Sequence, residues 1–281
     1  MNGRETRAGA RRASGSESPA GLRDAAVEFA REAGAILLEG YGVLHAPERK
    51  GAIDLVTEFD RRSEALLLER VAERFPGHAV LAEESGMHEA RAARTRWLID
   101  PLDGTTNFAH NYPFFGVSIG VEHDGELAAG AVYDPTRDEM FAAAKGEGAT
   151  LNGRPIRVSA IARLEDALLV TGFPYTVRQN PETIVPLFQA FLVRAQGVRR
   201  DGSAALNLCY VACGRFDGFW ERHLAAWDMA AGVLMVREAG GRVTNFSGAA
   251  FAVDRREIVA SNGTLHPEML DVIAGSGELK G

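Results

Sequence analysis

Two aspartates and a run of small hydroxylated residues stand close together in the segment WLIDPLDGTTNF, residues 97–108. Asp100 and Asp103 are separated by a proline and a leucine, and Gly104 and Thr105 follow directly. One interpretation is structural, since Asp103 could cap a short helix and Asp100 could belong to a turn. The other is chemical, because close carboxylates repel unless a cation neutralises them, and the amides at a helix start attract an anion. The segment is therefore a candidate site for a metal ion and a phosphate.

Three further segments carry acids in comparable settings: DLVTEFD (residues 54–60), LAEES (81–85) and AAWDMAAG (225–232). Each has an ordinary explanation. Asp60 could complete a capping box with Thr57, Glu83 could be a solvated strand end, and Asp228 could cap its own helix. The four segments together, in this order along the chain, are much more specific than any one of them.

The longest of these patterns, W-x-I-D-P-x-D-G-T-T-N-F, is complete at residues 97–108, and W-D-x-A-A-G with a following E-A-G-G occurs at 227–232 and 238–241. These segments resemble the inositol monophosphatase family of magnesium-dependent, lithium-sensitive phosphatases. The resemblance runs from about Leu22 to Ile273. It implies an α+β fold, a layered α-β-α-β-α sandwich of the inositol monophosphatase and fructose-1,6-bisphosphatase type, and a homodimer.

The resemblance also implies two to three Mg²⁺ ions, and hard divalent cations do take oxygen ligands. Glu83, Asp100 and the backbone carbonyl of Leu102 would bind the first ion. Asp100 would also bind the second, together with Asp103 and Asp228. A third, weaker ion would lie near Glu83 through water, which gives Glu83 a part in catalysis.

The nucleophile implied by the resemblance is a metal-activated water, and Thr105 would relay its proton while Asp60 orients the threonine. The backbone amides of Gly104 and Thr105 would meet phosphate oxygens, and the missing side chain of Gly104 lets the backbone approach the anion. Lys50 and Asp54 would be supporting charges near the site, and a solvated surface lysine is a slightly less favoured interpretation of Lys50.

The resemblance implies that Glu221 accepts hydrogen bonds from hydroxyl groups of a sugar or cyclitol. The rest of the substrate pocket implied by the resemblance consists of Asp103, Gly104, Thr105, Gly202, Ser203, Ala204 and Asp228. Inositol-1-phosphate or a similar small polyol phosphate is the expected substrate. Fructose-1,6-bisphosphate and histidinol phosphate are alternatives, and adenosine 3',5'-bisphosphate is less favoured because long insertions are missing. A non-catalytic binding protein is the alternative from another class.

The composition, with 46% hydrophobic and 25% charged residues over 281 positions, is typical of a globular protein. The formal charge of −7 argues against general nucleic-acid binding, and no apolar run reaches the ~20 residues of a membrane span. Cys209 and Cys213 are spaced as neighbours on a helix face and predict buried thiols, hence a reducing, cytoplasmic location. Residues 1–20 are expected to form a disordered leader, and residues 21–281 one domain.

Apolar periodicity predicts a helix from Leu22 to Leu37 and a second helix capped by Thr57 with Asp60 at its third position. Turn signals at regular intervals then predict an antiparallel meander up to about residue 160, whose last strand would be PIRVS (155–159). Helices and strands alternate after it, with one long helix expected over PETIVPLFQAFLVRAQG (181–197). The halves are therefore an antiparallel sheet and a mixed α/β part.

Overall fold

The computed structural model of the protein describes residues 17–43, 48–49, 55–91 and 93–276. Its helices are α1 (Pro19–Gly40), α2 (Glu58–Arg74), α3 (Thr105–Ala109), α4 (Val185–Leu192), α5 (Ala204–Ala212), α6 (Ala226–Glu238) and α7 (His266–Gly275). Its strands are β1 (Glu48–Arg49), β2 (Leu55–Val56), β3 (Ala79–Ala82), β4 (Gly86–His88), β5 (Thr95–Asp103), β6 (Gly116–His123), β7 (Glu126–Asp134), β8 (Glu139–Ala144), β9 (Gly148–Leu151), β10 (Arg154–Pro155), β11 (Leu168–Thr171), β12 (Gly197–Arg199), β13 (Gly218–Arg222), β14 (Arg242–Thr244) and β15 (Glu257–Ser261). Short 3₁₀ turns occupy Leu164–Asp166 and Pro181–Thr183.

The helices and two large sheets form five layers. Strands β10-β9-β8-β7-β6-β5-β3-β4 make an eight-stranded sheet, and β12-β11-β13-β15-β14 make a five-stranded sheet. Helices α1 and α2 cover the outer face of the first sheet, α5 and α6 lie between the sheets, and α4 and α7 cover the outer face of the second. The expected α+β fold with α-β-α-β-α layering is confirmed.

Three apolar clusters fill the spaces between these layers. The first joins α1 and α2 to the eight-stranded sheet, and the second surrounds α5 and α6 between the sheets. The third lies under α4 and α7, where the rings of Phe191 and Trp220 stack with centroids 3.9 Å apart. Trp220 is therefore a core residue. None of the helices in the described ranges has both the length and the apolar composition needed to cross a membrane.

Helix α1 begins earlier than its apolar stripe predicts. Ser18 is its N-cap and accepts a hydrogen bond from the Gly21 amide at 3.1 Å, while Pro19 occupies the first turn. A proline suits that position because the first helical amides need no partner within the helix. The helix thus includes the end of the expected leader, and residues 1–16 lie outside the described residues.

Two other predicted elements differ from the structure. Only Pro155 of PIRVS is in a strand, and the meander instead closes with the hairpin of β9 and β10 around Asn152 and Gly153. The long helix over 181–197 is wrong, because a 3₁₀ turn and then α4 take its place. Pro186 lies in the first turn of α4, where its missing N–H costs no hydrogen bond, whereas a longer helix would place it in the interior.

Helix α6 packs closely against the eight-stranded sheet, and glycines make this approach possible. A Cβ atom at Gly120 would come within 2.5 Å of the Ala230 Cβ, and one at Gly130 within 3.1 Å of the Ala231 Cα. The Ser118 hydroxyl in β6 donates to the Trp227 carbonyl at 3.1 Å, which fixes the first turn of the helix on the sheet. The start of α6 is therefore held against β6, beside the end of β5.

Replacing Gly120 by Ala should lower the free energy of unfolding by ~1–3 kcal/mol, because the new methyl group overlaps α6 and the helix must shift. Urea unfolding followed by circular dichroism measures this loss. Gly77→Ala is the control, since a Cβ there meets no atom within 4 Å. It should leave stability unchanged or raise it by up to ~1 kcal/mol. Equal stability of the two variants would contradict the packing argument.

Candidate active site

The two aspartates of the WLIDPLDGTTNF segment end strand β5 at a β-bulge. Asp100 pairs with Ser118 and Asp103 with Gly116, so that β5 uses one residue more than β6 between the pairs. Such bulges redirect side chains at the ends of sheets. The Leu102 amide donates to Asp100 Oδ1 at 3.0 Å. Asp103 is consequently the last strand residue, and Asp103 as the cap of α3 is wrong, since Gly104 at φ +100° takes that position.

Asp103 instead receives donors from the start of α5, a hundred residues further along the chain. The Ser203 hydroxyl donates to Asp103 Oδ2 at 2.5 Å, and the Ala205 and Ala204 amides donate to its two oxygens at 2.7 and 3.3 Å. The first amides of a helix carry partial positive charge and favour a carboxylate there. The sequence loop Gly202–Ala204 is in this way held against the aspartate.

Asp60 serves two purposes at once. It is the third residue of α2 and accepts hydrogen bonds on Oδ2 from the Thr57 amide at 2.8 Å and the Thr57 hydroxyl at 2.5 Å. Its other oxygen, Oδ1, lies 3.1 Å from the Thr105 hydroxyl, which donates to it. The predicted capping box is confirmed, and it places the free oxygen of Asp60 against Thr105. Burial raises the pKa of Asp60 despite these donors.

Carboxylates from three separate segments face one another in the same cleft. The amide of Glu83 donates to the Ile99 carbonyl at 3.1 Å, which places Glu83 beside Asp100. Burial raises the pKa of Asp100 well above its usual value, and the charges of Glu83, Asp103 and Asp228 raise it further. Burial and the charge of Asp103 also raise the pKa of Asp228. Asp228 accepts a hydrogen bond from the Ala225 amide at 2.7 Å, and Ala225, not Asp228, is the N-cap of α6.

The donors at this end of the cleft suit a hard divalent cation. They are oxygen atoms, they carry several negative charges, and Asp100 is only 3% exposed. Within the described ranges, no three His, Cys, Asp or Glu side chains form a closed metal-binding cluster. Carboxylates of like charge repel one another without a cation, so a bound cation would relieve the repulsion within this set of acids.

Glu221 lines the opposite wall of the cleft. It is the penultimate residue of β13 and packs on Gly172, where a Cβ atom would lie 2.1 Å from its carboxylate oxygens. Burial raises the pKa of Glu221 to about 8, although Arg200 opposes this and Asp103 adds to it. The Arg200 guanidinium lies over the Phe173 ring, 5.8 Å from its centroid. The cleft between the two walls has a volume of about 470 Å³.

The chain matches the inositol monophosphatase family over residues 19–277, which is nearly its full length. The chain belongs to the inositol monophosphatase family. An inositol-1-monophosphatase of Synechocystis is 46% identical over 263 residues, covering 92% of each chain. The Nus factor SuhB of Pseudomonas aeruginosa is 44% identical, covering 88% of this chain and 94% of its own.

A solved structure shows the same fold. The inositol monophosphatase of Anabaena aligns with a TM-score of 0.82 at 44% identity and covers 90% of this chain and 95% of its own. Membership of the inositol monophosphatase family makes the protein a phosphatase.

The structure brings together most of the site residues that the sequence predicts for an inositol monophosphatase. Those that line the cleft are Glu83, Asp100, Leu102, Asp103, Gly104, Thr105, Gly202, Ser203, Ala204, Glu221 and Asp228. Asp60 lies behind Thr105 and reaches the cleft through it. Lys50 and Asp54 lie outside the described residues.

Sequence reasoning missed three residues of the site's surroundings. Arg200 lines the cleft, and the only signal for it is the pair of arginines before the turn at Gly202. Ser63 and Glu64 on α2 are buried beside the site. Their signal is stronger, because they are polar residues at the positions where the apolar stripe of that helix should continue.

Asp100→Asn should raise the stability of the metal-free protein, by ~1–3 kcal/mol, because it removes one of several buried like charges and keeps the Oδ1 acceptor for Leu102. Urea unfolding in chelator measures this. Asp271→Asn, at an exposed position on α7, should change stability by less than ~0.5 kcal/mol. A metal-free Asp100→Asn protein that is less stable than the wild type would contradict the repulsion argument.

Proposed function

We propose that the protein is a Mg²⁺-dependent phosphomonoesterase that hydrolyses inositol-1-phosphate or a similar small polyol phosphate. The observation that carries the proposal is the meeting in one cleft of Glu83, Asp100, Asp103 and Asp228 with the Asp60–Thr105 hydrogen bond. The 46% identity to an inositol-1-monophosphatase supports the same substrate class. A polyol monophosphate carries a phosphate group, which suits the acidic wall with its metal ions, and hydroxyl groups, which suit the wall formed by Glu221.

The acidic wall would hold the metal ions. Glu83, Asp100 and the Leu102 carbonyl would bind one Mg²⁺, and Asp100, Asp103 and Asp228 a second, with a third near Glu83. When bound, such ions neutralise phosphate charge and lower the pKa of an attacking water. The bulge in β5 supports this role, since it turns the acidic side chains and a backbone carbonyl of one short segment toward the same cleft.

Thr105 would relay a proton of the attacking water: its oxygen would accept that proton while its own hydroxyl proton passes to Asp60 Oδ1. The Thr105 hydroxyl has a single proton, and two acceptors lie 3.1 Å from its oxygen, Asp60 Oδ1 and the Leu102 carbonyl. With that proton donated, the threonine oxygen has lone pairs that can accept from water in the cleft. Thr57 occupies the other Asp60 oxygen and fixes the carboxylate, so that Asp60 orients Thr105.

The amides of Gly104 and Thr105 would donate to phosphate oxygens. On the opposite wall, Glu221 would accept hydrogen bonds from the hydroxyl groups of the polyol. The Gly202–Ala204 loop would shape this side of the cleft, where Asp103 already holds the Ser203 hydroxyl. Burial raises the pKa of Glu221 to about 8, which favours a protonated carboxyl near neutral pH, and such a carboxyl can both donate to and accept from a hydroxyl group.

The proposal also includes lithium inhibition, a homodimer and a cytoplasmic location. The first two come from the family resemblance. The third agrees with the free thiols of Cys209, which is buried in α5, and Cys213, which is partly buried just after it.

A phosphate-release assay tests the substrate and the metal together. Purified protein should release phosphate from inositol-1-phosphate with Mg²⁺ and lose this activity with chelator, whereas fructose-1,6-bisphosphate, histidinol phosphate and adenosine 3',5'-bisphosphate should be poorer substrates. Asp228→Asn should lose most turnover while its circular dichroism stays native, because it removes one anionic metal ligand. Turnover that survives chelation, or no release from any monoester, would overturn the proposal.

Thr105→Ala should lower kcat by ~10²–10⁴ while Mg²⁺ binding persists, because the carboxylates are untouched. Asp60→Asn should behave alike, and the double variant should be little worse than either single variant if the two residues act as a unit.

Thr95→Ala is the control. Thr95 is also a buried, hydrogen-bonded threonine, with its hydroxyl 2.8 Å from His123, but it lies at the start of β5, at the end of that strand away from the cleft. It should keep kcat within a few-fold of the wild type. Near-normal kcat in Thr105→Ala would rule out the proton relay.

A further inference from the structure

Helix α2 directs three polar side chains toward the site. Two of them contact the segment that carries Asp100 and Asp103, and the third contacts the segment that carries Glu83. Asp60 reaches Thr105, the Ser63 hydroxyl donates to the Pro101 carbonyl at 3.0 Å, and the Glu64 carboxylate accepts from the Glu84 amide at 2.8 Å. All three side chains are buried, with Glu64 only 3% exposed. One helix therefore contacts the β5 bulge at Pro101, the start of α3 at Thr105 and the turn after β3 at Glu84.

The Glu64 contact concerns the position of Glu83. The Glu84 amide belongs to the peptide group that joins Glu83 to Glu84, so the bond to Glu64 fixes the C-terminal side of Glu83. On the N-terminal side, the Glu83 amide donates to the Ile99 carbonyl, the residue before Asp100. The backbone of Glu83 is thus held from both sides, by β5 and by α2.

A carboxylate is a costly choice for this contact. Burial of a charged group is unfavourable, and this one is bonded to the peptide group that follows another acid, Glu83. A backbone N–H that donates to a carboxylate nevertheless makes a stronger hydrogen bond than one that donates to a neutral oxygen. A buried carboxylate at position 64 has a reason if its strong hydrogen bond to the Glu84 amide must hold the Glu83 backbone against the repulsion between Glu83 and Asp100.

We propose that Glu64 is a positioning residue that holds Glu83 in place for metal binding. The inference rests on the proposed function, in which Glu83 is a metal ligand. Residues that orient metal ligands from behind affect metal affinity by 10–100-fold in other proteins. Loss of the Glu64 acceptor should therefore weaken Mg²⁺ binding, with less effect on turnover once Mg²⁺ is saturating.

Four variants test this. Glu64→Met keeps the length and removes the acceptor, and Glu64→Asp keeps the charge on a side chain that is one methylene shorter. Glu64→Gln retains an oxygen that can accept from the Glu84 amide. Val71→Ala is the matched control, because Val71 is buried on the same helix, two turns away, and makes only apolar contacts in the described core.

The primary measurement is the Mg²⁺ concentration at which the rise in Tm is half complete, without substrate. It should increase at least ~10-fold in Glu64→Met and Glu64→Asp, and stay within about threefold of the wild type in Glu64→Gln and Val71→Ala. The Mg²⁺ dependence of phosphate release should shift in parallel, with kcat at saturating Mg²⁺ within a few-fold. If Glu64→Met does not fold, the Mg²⁺ midpoint of Glu64→Asp alone tests the inference.

An unchanged Mg²⁺ midpoint in the folded acceptor-loss variants would overturn the inference, and so would an equal shift in Val71→Ala or in Glu64→Gln. These outcomes leave the proposed function intact as long as the wild type responds to Mg²⁺. A wild type whose Tm and turnover ignore Mg²⁺ would overturn the proposed function and, with it, the role of Glu64.

Discussion

Carboxylates of like charge are buried together in one cleft, and much of the structure around them serves to keep them there. Burial and mutual repulsion both favour the protonated form, as the raised pKa values of Asp100 and Asp228 show. Without other contacts, the side chains would turn toward solvent or take up protons. The surrounding hydrogen bonds hold the acids in an arrangement that would be unfavourable by itself, and a divalent cation is the kind of partner that would relieve it.

The supports come from elements far apart in sequence. The start of α5 donates three hydrogen bonds to Asp103, and the Asp103 pKa, raised to about 6 by burial, is restrained by these donors. On the other side, α2 contacts the bulge and the turn after β3. Glycines in β6 and β7 let α6 approach the sheet closely, which brings Asp228 to the end of β5. The layered fold thus explains how three chain segments meet at one edge of a sheet.

Asp60 shows that a structural role of a residue is compatible with a proposed functional one. Its capping box with Thr57 stabilises the start of α2, as the Thr-x-x-Asp spacing indicates. The same geometry leaves one carboxylate oxygen directed at Thr105. The cap therefore fixes the orientation of the group that the proposed proton relay needs, and neither role excludes the other.

The sequence by itself determined the family, the layered α+β class, most helices and strands, and nearly every acid of the cleft, because these depend on local periodicity and on short motifs. It did not determine the end of the meander, which depends on the geometry of the turn between β9 and β10, or the extent of α4, which depends on the position of Pro186. Only the tertiary structure decided which groups Asp103 contacts, why α6 can lie so close to β6, and what Ser63 and Glu64 do. Those contacts join residues separated by tens of positions, and local patterns of residue type carry no information about which distant partner a polar side chain will meet.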